Sequence, residues 1–152
     1  MKKYILPFIL AAIILCFTAS AYASFQDVPQ GASYSDALSR VTALGIMGGV
    51  GDNLFQPDSV LTREQFAKSI VVAAGLNDTA GTLKGSTIFA DIDPSRWSNG
   101  FINAALNNGF ITGMPDGTFH PTDSITFAQA CTVLVKALGY TDQDVPGMWP
   151  KN

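Results

Sequence analysis

The sequence predicts a mainly α protein built from tandem helix-loop-helix repeats, and two observations carry that prediction. The stretch GFITGMPDGTFHPTDSIT, Gly109 to Thr126, repeats the pattern of GIMGGVGDNLFQPDSVLT, Gly45 to Thr62, at a constant separation of 64 residues. Self-similarity at a fixed period is the mark of a repeat architecture. Each copy also lies between two amphipathic runs, and the four runs end on Gly45, Gly75, Gly109 and Gly139. Glycine stops a helix because it takes the left-handed C′ conformation without strain.

At the N-terminus, Met1-Lys2-Lys3, the apolar run Tyr4 to Phe17 and Ala21-Tyr22-Ala23 form the charged, apolar and small-residue regions of a cleaved secretory signal, assigned to residues 1–23. The run is short for a membrane span, and bulky Leu15 before Cys16 makes lipid attachment the minor reading. Loss of Lys2 and Lys3 takes the formal net charge from −3 to about −5. That balance argues against nucleic acid and against an anionic membrane surface as partners. Cys131 is then the one cysteine left, so packing rather than a disulfide must stabilise the exported chain.

Repeat 1 is assigned to residues 24–76 and repeat 2 to residues 89–140, opening on Phe25-Gln26-Asp27-Val28 and Phe89-Ala90-Asp91-Ile92. The first helix of repeat 1 carries apolar residues at Tyr34, Ala37, Leu38, Val41 and Leu44, and that of repeat 2 at Trp97, Phe101, Ile102, Ala105 and Leu106. Spacings of three and four direct one face to a core. Ser33 and Ser95 are the expected N-caps. In the loops, Asp52-Asn53 and Asp116-Gly117 suit positive φ, and Pro57 and Pro121 forbid helix. Thr62-Arg63-Glu64-Gln65 and Thr126-Phe127-Ala128-Gln129 fit the capping box that starts each second helix.

Residues 77–88 are rich in Gly, Thr, Asn and Asp over much of their length and read as a polar linker. Residues 141–152, with Trp149 where another first helix would begin, read as the truncated start of a third repeat. One helix-loop-helix cannot bury its own apolar face, so such units need about three copies or a partner.

These residues together resemble the S-layer homology repeat of bacterial surface proteins. The shared pattern is the Phe-x-Asp opening, an aromatic at the first helix, an alanine before Gly-(Ile/Phe), Asp-Gly-x-Phe-x-Pro, and a Thr-Arg-(Ala/Glu)-Glu-like helix start. The resemblance implies a pseudo-threefold bundle of three repeats, here incomplete. It also implies non-covalent attachment to the wall through a secondary cell-wall polysaccharide, often pyruvylated, held in grooves between repeats. The implied localisation is secreted, at the cell wall and S-layer.

The family's binding arginine falls on Arg63, whereas repeat 2 has Phe127 there and Ala128 in place of Glu64. A guanidinium beside free helix-terminal amides suits a carboxylate. The alternative is that Arg63 pairs with Glu64 or a nearby aspartate on a solvated face, where such pairs contribute little. Phe127 is expected to pack. Tyr34, Trp97 and Trp149 either stack on sugar rings or lock their helices onto the loops. Asp27 and Asp91 either accept from sugar hydroxyls or hold a turn. A second reading makes the chain an assembly module, self-associating or completed by another repeat, and a third makes it the anchor of a longer secreted enzyme.

No convergent catalytic constellation is visible, so no enzyme and no cofactor are expected. His120 occupies the loop position of Gln56, and Cys131 the helix position of Ala67, which suit a turn residue and a small packed side chain. Asp52 and Asp116 lack the further carboxylates of a calcium loop.

Overall fold

A computed structural model describes residues 25–141 and Asp144; the expected signal and nearly all of residues 141–152, Trp149 included, lie outside the described residues. Five helices occur among them: α1 Ser35–Ala43, α2 Arg63–Ala73, α3 Asn77–Thr82, α4 Asn99–Asn107 and α5 Phe127–Ala137. Only two isolated bridges accompany them, Gly51 with Leu54 and Thr62 with Ser124. The mainly α expectation therefore holds.

Four of the helix ends share one geometry, set by the predicted glycines. Gly45, Gly75, Gly109 and Gly139 have φ of 68°, 74°, 71° and 90°. In each case the glycine amide bonds back to the carbonyl of Thr42, Val72, Leu106 or Lys136. The next amide reaches that of Val41, Val71, Ala105 or Val135. That pairing is the Schellman motif, which satisfies the last carbonyls of a helix. Both capping boxes also form, Thr62 with Gln65 and Thr126 with Gln129.

The N-caps of the first helices differ from expectation. Tyr34 and Ser98, not Ser33 and Ser95, hold those positions, and neither caps with its side chain. The cause in repeat 2 is a turn ahead of the helix: the amide and hydroxyl of Ser95 both donate to Asp93 Oδ1, and Arg96 N bonds to Asp93 O.

The segment expected as a polar linker instead contains α3. Its sequence, NDTAGT, has little propensity of its own, and packing against α4 supplies what propensity does not. Ala80 is buried there, and Gly100 lets the two backbones touch, since a Cβ at Gly100 would collide with the carbonyl of Ala80. Two buried asparagines then pin the chain beyond α3. Asn99 exchanges hydrogen bonds with both backbone groups of Gly85, and Asn103 Nδ2 donates to Leu83 O and Ser86 O.

Helix α2 is the centre of the assembly and packs on α3, α4 and α5, whereas α1 makes no close approach to another helix among the described residues. One apolar cluster joins Ile70, Val71, Ala104, Ala105, Phe110 and Val133. A second joins Ala67, Phe89, Ile92, Ile102 and Phe119. Both clusters draw on the two repeats at once, so the core lies on the seam between them. Two expectations fail for the same reason. Phe127, expected to pack, is 86% exposed, and the predicted core face of α1 is largely open, with Tyr34 38% exposed and Ala37 exposed. Among the described residues nothing stands beyond α5 or beyond α1 to cover them.

Candidate functional site

Each repeat is closed on itself by its first aspartate. Asp27 accepts from the amides of Phe55 and Gln56 at 2.9 and 2.6 Å, and Asp91 from those of Phe119 and His120 at 2.8 and 2.7 Å. The brace holds Gln56 and His120 at φ of 58° and 55°, a left-handed conformation unusual for such residues. Phe25 and Phe89 lie on Phe55 and Phe119 with centroids 5.3 and 5.4 Å apart. The loop shape thus follows from Phe-x-Asp and Phe-x-Pro together, and both aspartates take the turn role. The Phe55 amide bond is the main influence that lowers the Asp27 pKa. For Asp91, burial raises it, and the amide bonds from Phe119 and His120 outweigh burial.

The shaped loop of repeat 2 receives the start of α2. Arg63 N bonds to Asp123 O, Glu64 N to Pro121 O, and Ile125 N to Leu61 O, at 2.9 to 3.0 Å. Gln65 N is held by Thr62 Oγ1. The amides that could have bound an anion at this helix start are thus occupied by protein. Arg63 is half-buried, with Nε donating to Phe119 O at 2.8 Å and Cζ 4.7 Å from the centroid of the Phe119 ring. Burial lowers its pKa, and the charges of Asp123 and Asp91 partly offset that. A guanidinium over an aromatic face is held by the ring quadrupole.

Among the described residues neither Glu64 nor an aspartate forms an ion pair with Arg63. Glu64 instead reaches Arg96, at 2.8 and 2.9 Å through two guanidinium nitrogens, and accepts from Ser98 Oγ. Burial of Glu64, 6% exposed, would raise its pKa. The hydrogen bonds from Arg96 and Ser98 and the Arg96 charge prevail and hold it below the ordinary carboxylate value. This ion pair escaped the sequence reading because Arg96 has no counterpart in repeat 1, where Ala32 stands in its place. The one available signal was that Glu64 and Arg96 are both absent at the equivalent pair, Ala128 and Ala32.

Beside this seam lies an open groove of about 670 Å³. Its walls are the loop of repeat 1 (Met47, Gly48 and Pro57 among others), the Gln65, Lys68 and Ser69 side of α2, and Trp97 from repeat 2. Trp97 is 51% exposed and keeps part of its ring against Phe101, centroids 6.5 Å apart. Lys68 Nζ donates to the carbonyls of Gly45 and Ile46 at 2.9 and 3.1 Å, which anchors the loop and leaves one ammonium proton uncommitted among the described residues. Arg63 and Tyr34 lie outside the groove lining, so of the five residues predicted for binding only Trp97 reaches it. Lys68, Gln65 and Ser69 also line it and were not singled out, because a polar residue on a helix face carries no signal until the opposing wall is known.

Among the described residues no cluster of three or more His, Cys, Asp or Glu could hold a metal, and no helix is long and apolar enough to cross a membrane. Cys131 is free and half-exposed.

The family model described as the S-layer homology domain matches residues 24–67 and 88–131. The middle cell wall protein of Brevibacillus brevis is 32% identical over all of this chain, which covers 15% of that protein. The surface layer protein of Brevibacillus choshinensis is likewise 32% identical over all of this chain and 14% of its own length. The cellulosome-anchoring protein of Acetivibrio thermocellus is 29% identical over 76% of this chain and 26% of its own. The chain thus spans well under two thirds of each of these relatives.

Proposed function

Because the chain belongs to the S-layer homology family, we propose that it attaches its protein to the bacterial cell wall by binding a secondary cell-wall polysaccharide in the groove at the repeat seam. The observation that carries this reading is the pairing, in one groove, of the half-exposed Trp97 ring with the Lys68 ammonium and the amide and hydroxyl of Gln65 and Ser69. An aromatic face suits the apolar face of a sugar ring, and a partly desolvated cation suits an acidic substituent such as a pyruvate ketal. Burial lowers the Lys68 pKa, which marks it as more desolvated than a free surface lysine. Relatives named for the cell wall, the surface layer and cellulosome anchoring support a surface location for this chain. In this reading Arg63 acts away from the groove by fixing the loop of repeat 2 against α2, and the chain is no enzyme.

The test is co-sedimentation with purified cell wall, with circular dichroism confirming that each variant folds. Trp97→Ala and Lys68→Gln are expected to lower retention at least tenfold, and Arg63→Ala to lower it more than Phe127→Ala. Unchanged retention by Trp97→Ala and Lys68→Gln together would remove the groove as the site.

A further inference from the structure

The two walls of the groove come from different repeats. Gln65, Lys68 and Ser69 stand on α2, whereas the Trp97 ring is carried by the turn ahead of α4. Backbone bonds tie that turn to its own helix: Arg96 N meets Asp93 O, Asn99 N meets Arg96 O and Ile102 N meets Ser98 O. They fix the backbone of Trp97 relative to α4 and leave its place relative to Lys68 to be set by something else. Glu64 makes that link. It precedes Gln65 on α2, and its carboxylate accepts from Arg96 Nε and Nη2 at 2.8 and 2.9 Å and from Ser98 Oγ. Arg96 and Ser98 are the two sequence neighbours of Trp97, so the turn is gripped on both sides of the ring. Among the described residues, the hydrogen bonds between α2 and residues 93–98 all end on this carboxylate.

The Trp97 side chain contributes as well. Burial raises the Glu64 pKa, and side-chain hydrogen bonds from Arg96, Ser98 and Trp97 act together to lower it. The indole N–H is the one donor that a tryptophan side chain can offer, so committing it to Glu64 restrains the ring itself and not its backbone alone. Phe101 supports the ring from α4, with centroids 6.5 Å apart. Neither Glu64, Arg96 nor Ser98 lines the groove. A half-exposed ring that is already held in place gives up less rotamer freedom when a ligand arrives. We infer that Glu64 is a positioning residue for the groove, holding the Trp97 ring opposite Lys68 so that retention on the wall depends on a carboxylate the glycan does not touch. The inference rests on the groove being the glycan site.

Glu64→Gln tests this, because it removes the charge and part of the accepting capacity while keeping the side-chain shape. In a Trp149→Phe background, near-ultraviolet circular dichroism and acrylamide quenching report the Trp97 ring in the free protein. Glu64→Gln is expected to weaken the first and raise the second, with the far-ultraviolet spectrum unchanged. Retention on purified cell wall should fall about two- to tenfold, the cost of ordering one large side chain on binding. Ser98→Ala, a milder change at the same carboxylate, should move both readouts in the same direction and serves if Glu64→Gln does not fold. Val71→Ala removes core volume on the same helix and should leave the Trp97 signals and retention as they are. In a Trp97→Ala background, Glu64→Gln should cost no further retention, because the ring it positions is gone. A further loss there, equal changes in Val71→Ala, or unchanged Trp97 signals and retention in Glu64→Gln would each overturn the inference while the groove reading stands. Retention unaffected by Trp97→Ala itself would instead remove the groove as the site, and the inference with it.

Discussion

Glu64, in the first turn of α2, and Arg96, ahead of α4, join the two repeats by a forked ion pair at 2.8 and 2.9 Å, and Ser98 fills a further acceptor site of the same carboxylate. The carboxylate is nearly buried while Arg96 remains 28% exposed, so the cation keeps part of its hydration. Such a pair fixes which residues of the repeats meet, whatever its net contribution to stability.

Breaking it from the buried side should be the more damaging. Glu64→Ala leaves Arg96 and Ser98 without their acceptor and should destabilise by about 2–4 kcal/mol, with Arg96→Ala somewhat less. Urea unfolding of both single variants and the double variant measures the coupling, expected at about 1–3 kcal/mol. A coupling near zero would show that the two side chains act separately.

Acid should loosen the seam and the loop braces together. Glu64 and Asp91 have folded-state pKa values below their ordinary 4.5 and 3.8, and Asp27 is lowered as well. Their stabilising contribution is therefore complete above about pH 4.5 and is lost as the pH falls through the folded-state values. The urea midpoint should be level from pH 7 to about pH 5 and decline below that. The decline should be shallower in Glu64→Gln, which no longer carries one of the groups.

Two helical glycines should respond with opposite sign to the same change. Nothing lies within 4 Å of a Cβ built at Gly81 in α3, so Gly81→Ala should stabilise by about 0.5–1 kcal/mol. At Gly100 the Cβ would strike the Ala80 carbonyl and force α3 off α4, so Gly100→Ala should destabilise by about 1–3 kcal/mol. Thermal melts of the two variants check both signs.

Trp97 offers a direct optical readout of the proposed site. In a Trp149→Phe background it is the remaining tryptophan, and wall polysaccharide should shift its emission to shorter wavelength as the half-exposed ring leaves water. The shift should disappear in Lys68→Gln at the same glycan concentration. Emission that ignores the glycan while the protein is retained on walls would locate binding elsewhere.

Local chemistry was the legible part of the sequence. Thr62 with Gln65 and Thr126 with Gln129, the four closing glycines and the Asp-Asn and Asp-Gly turns each act over a few residues, so their pattern shows without any tertiary knowledge. Contacts between repeats were not legible in the same way. Glu64 meets Arg96 across 32 residues, and the α3 segment becomes helical through Gly100 and Ala80, which no local propensity announces. Phe127 misled because periodicity marks a face as apolar without saying whether anything stands opposite. Trp97, singled out by its type, lines the groove, yet Lys68, Gln65 and Ser69 became candidates only once the loop of repeat 1 was seen to form the other wall.

The aspartate braces also set how force would travel through a protein held at a surface. A pull entering from repeat 1 reaches Asp91 and crosses directly to Phe119 and His120, then enters α5, and the bonds from Phe55 and Gln56 to Asp27 close repeat 1 in the same way. Helices α1 and α4 sit inside these two closed loops and carry no tension while the carboxylates hold. The first helices are thereby mechanically sheltered, and the two aspartates act as shackles whose rupture would release slack before either loop-borne helix is stretched.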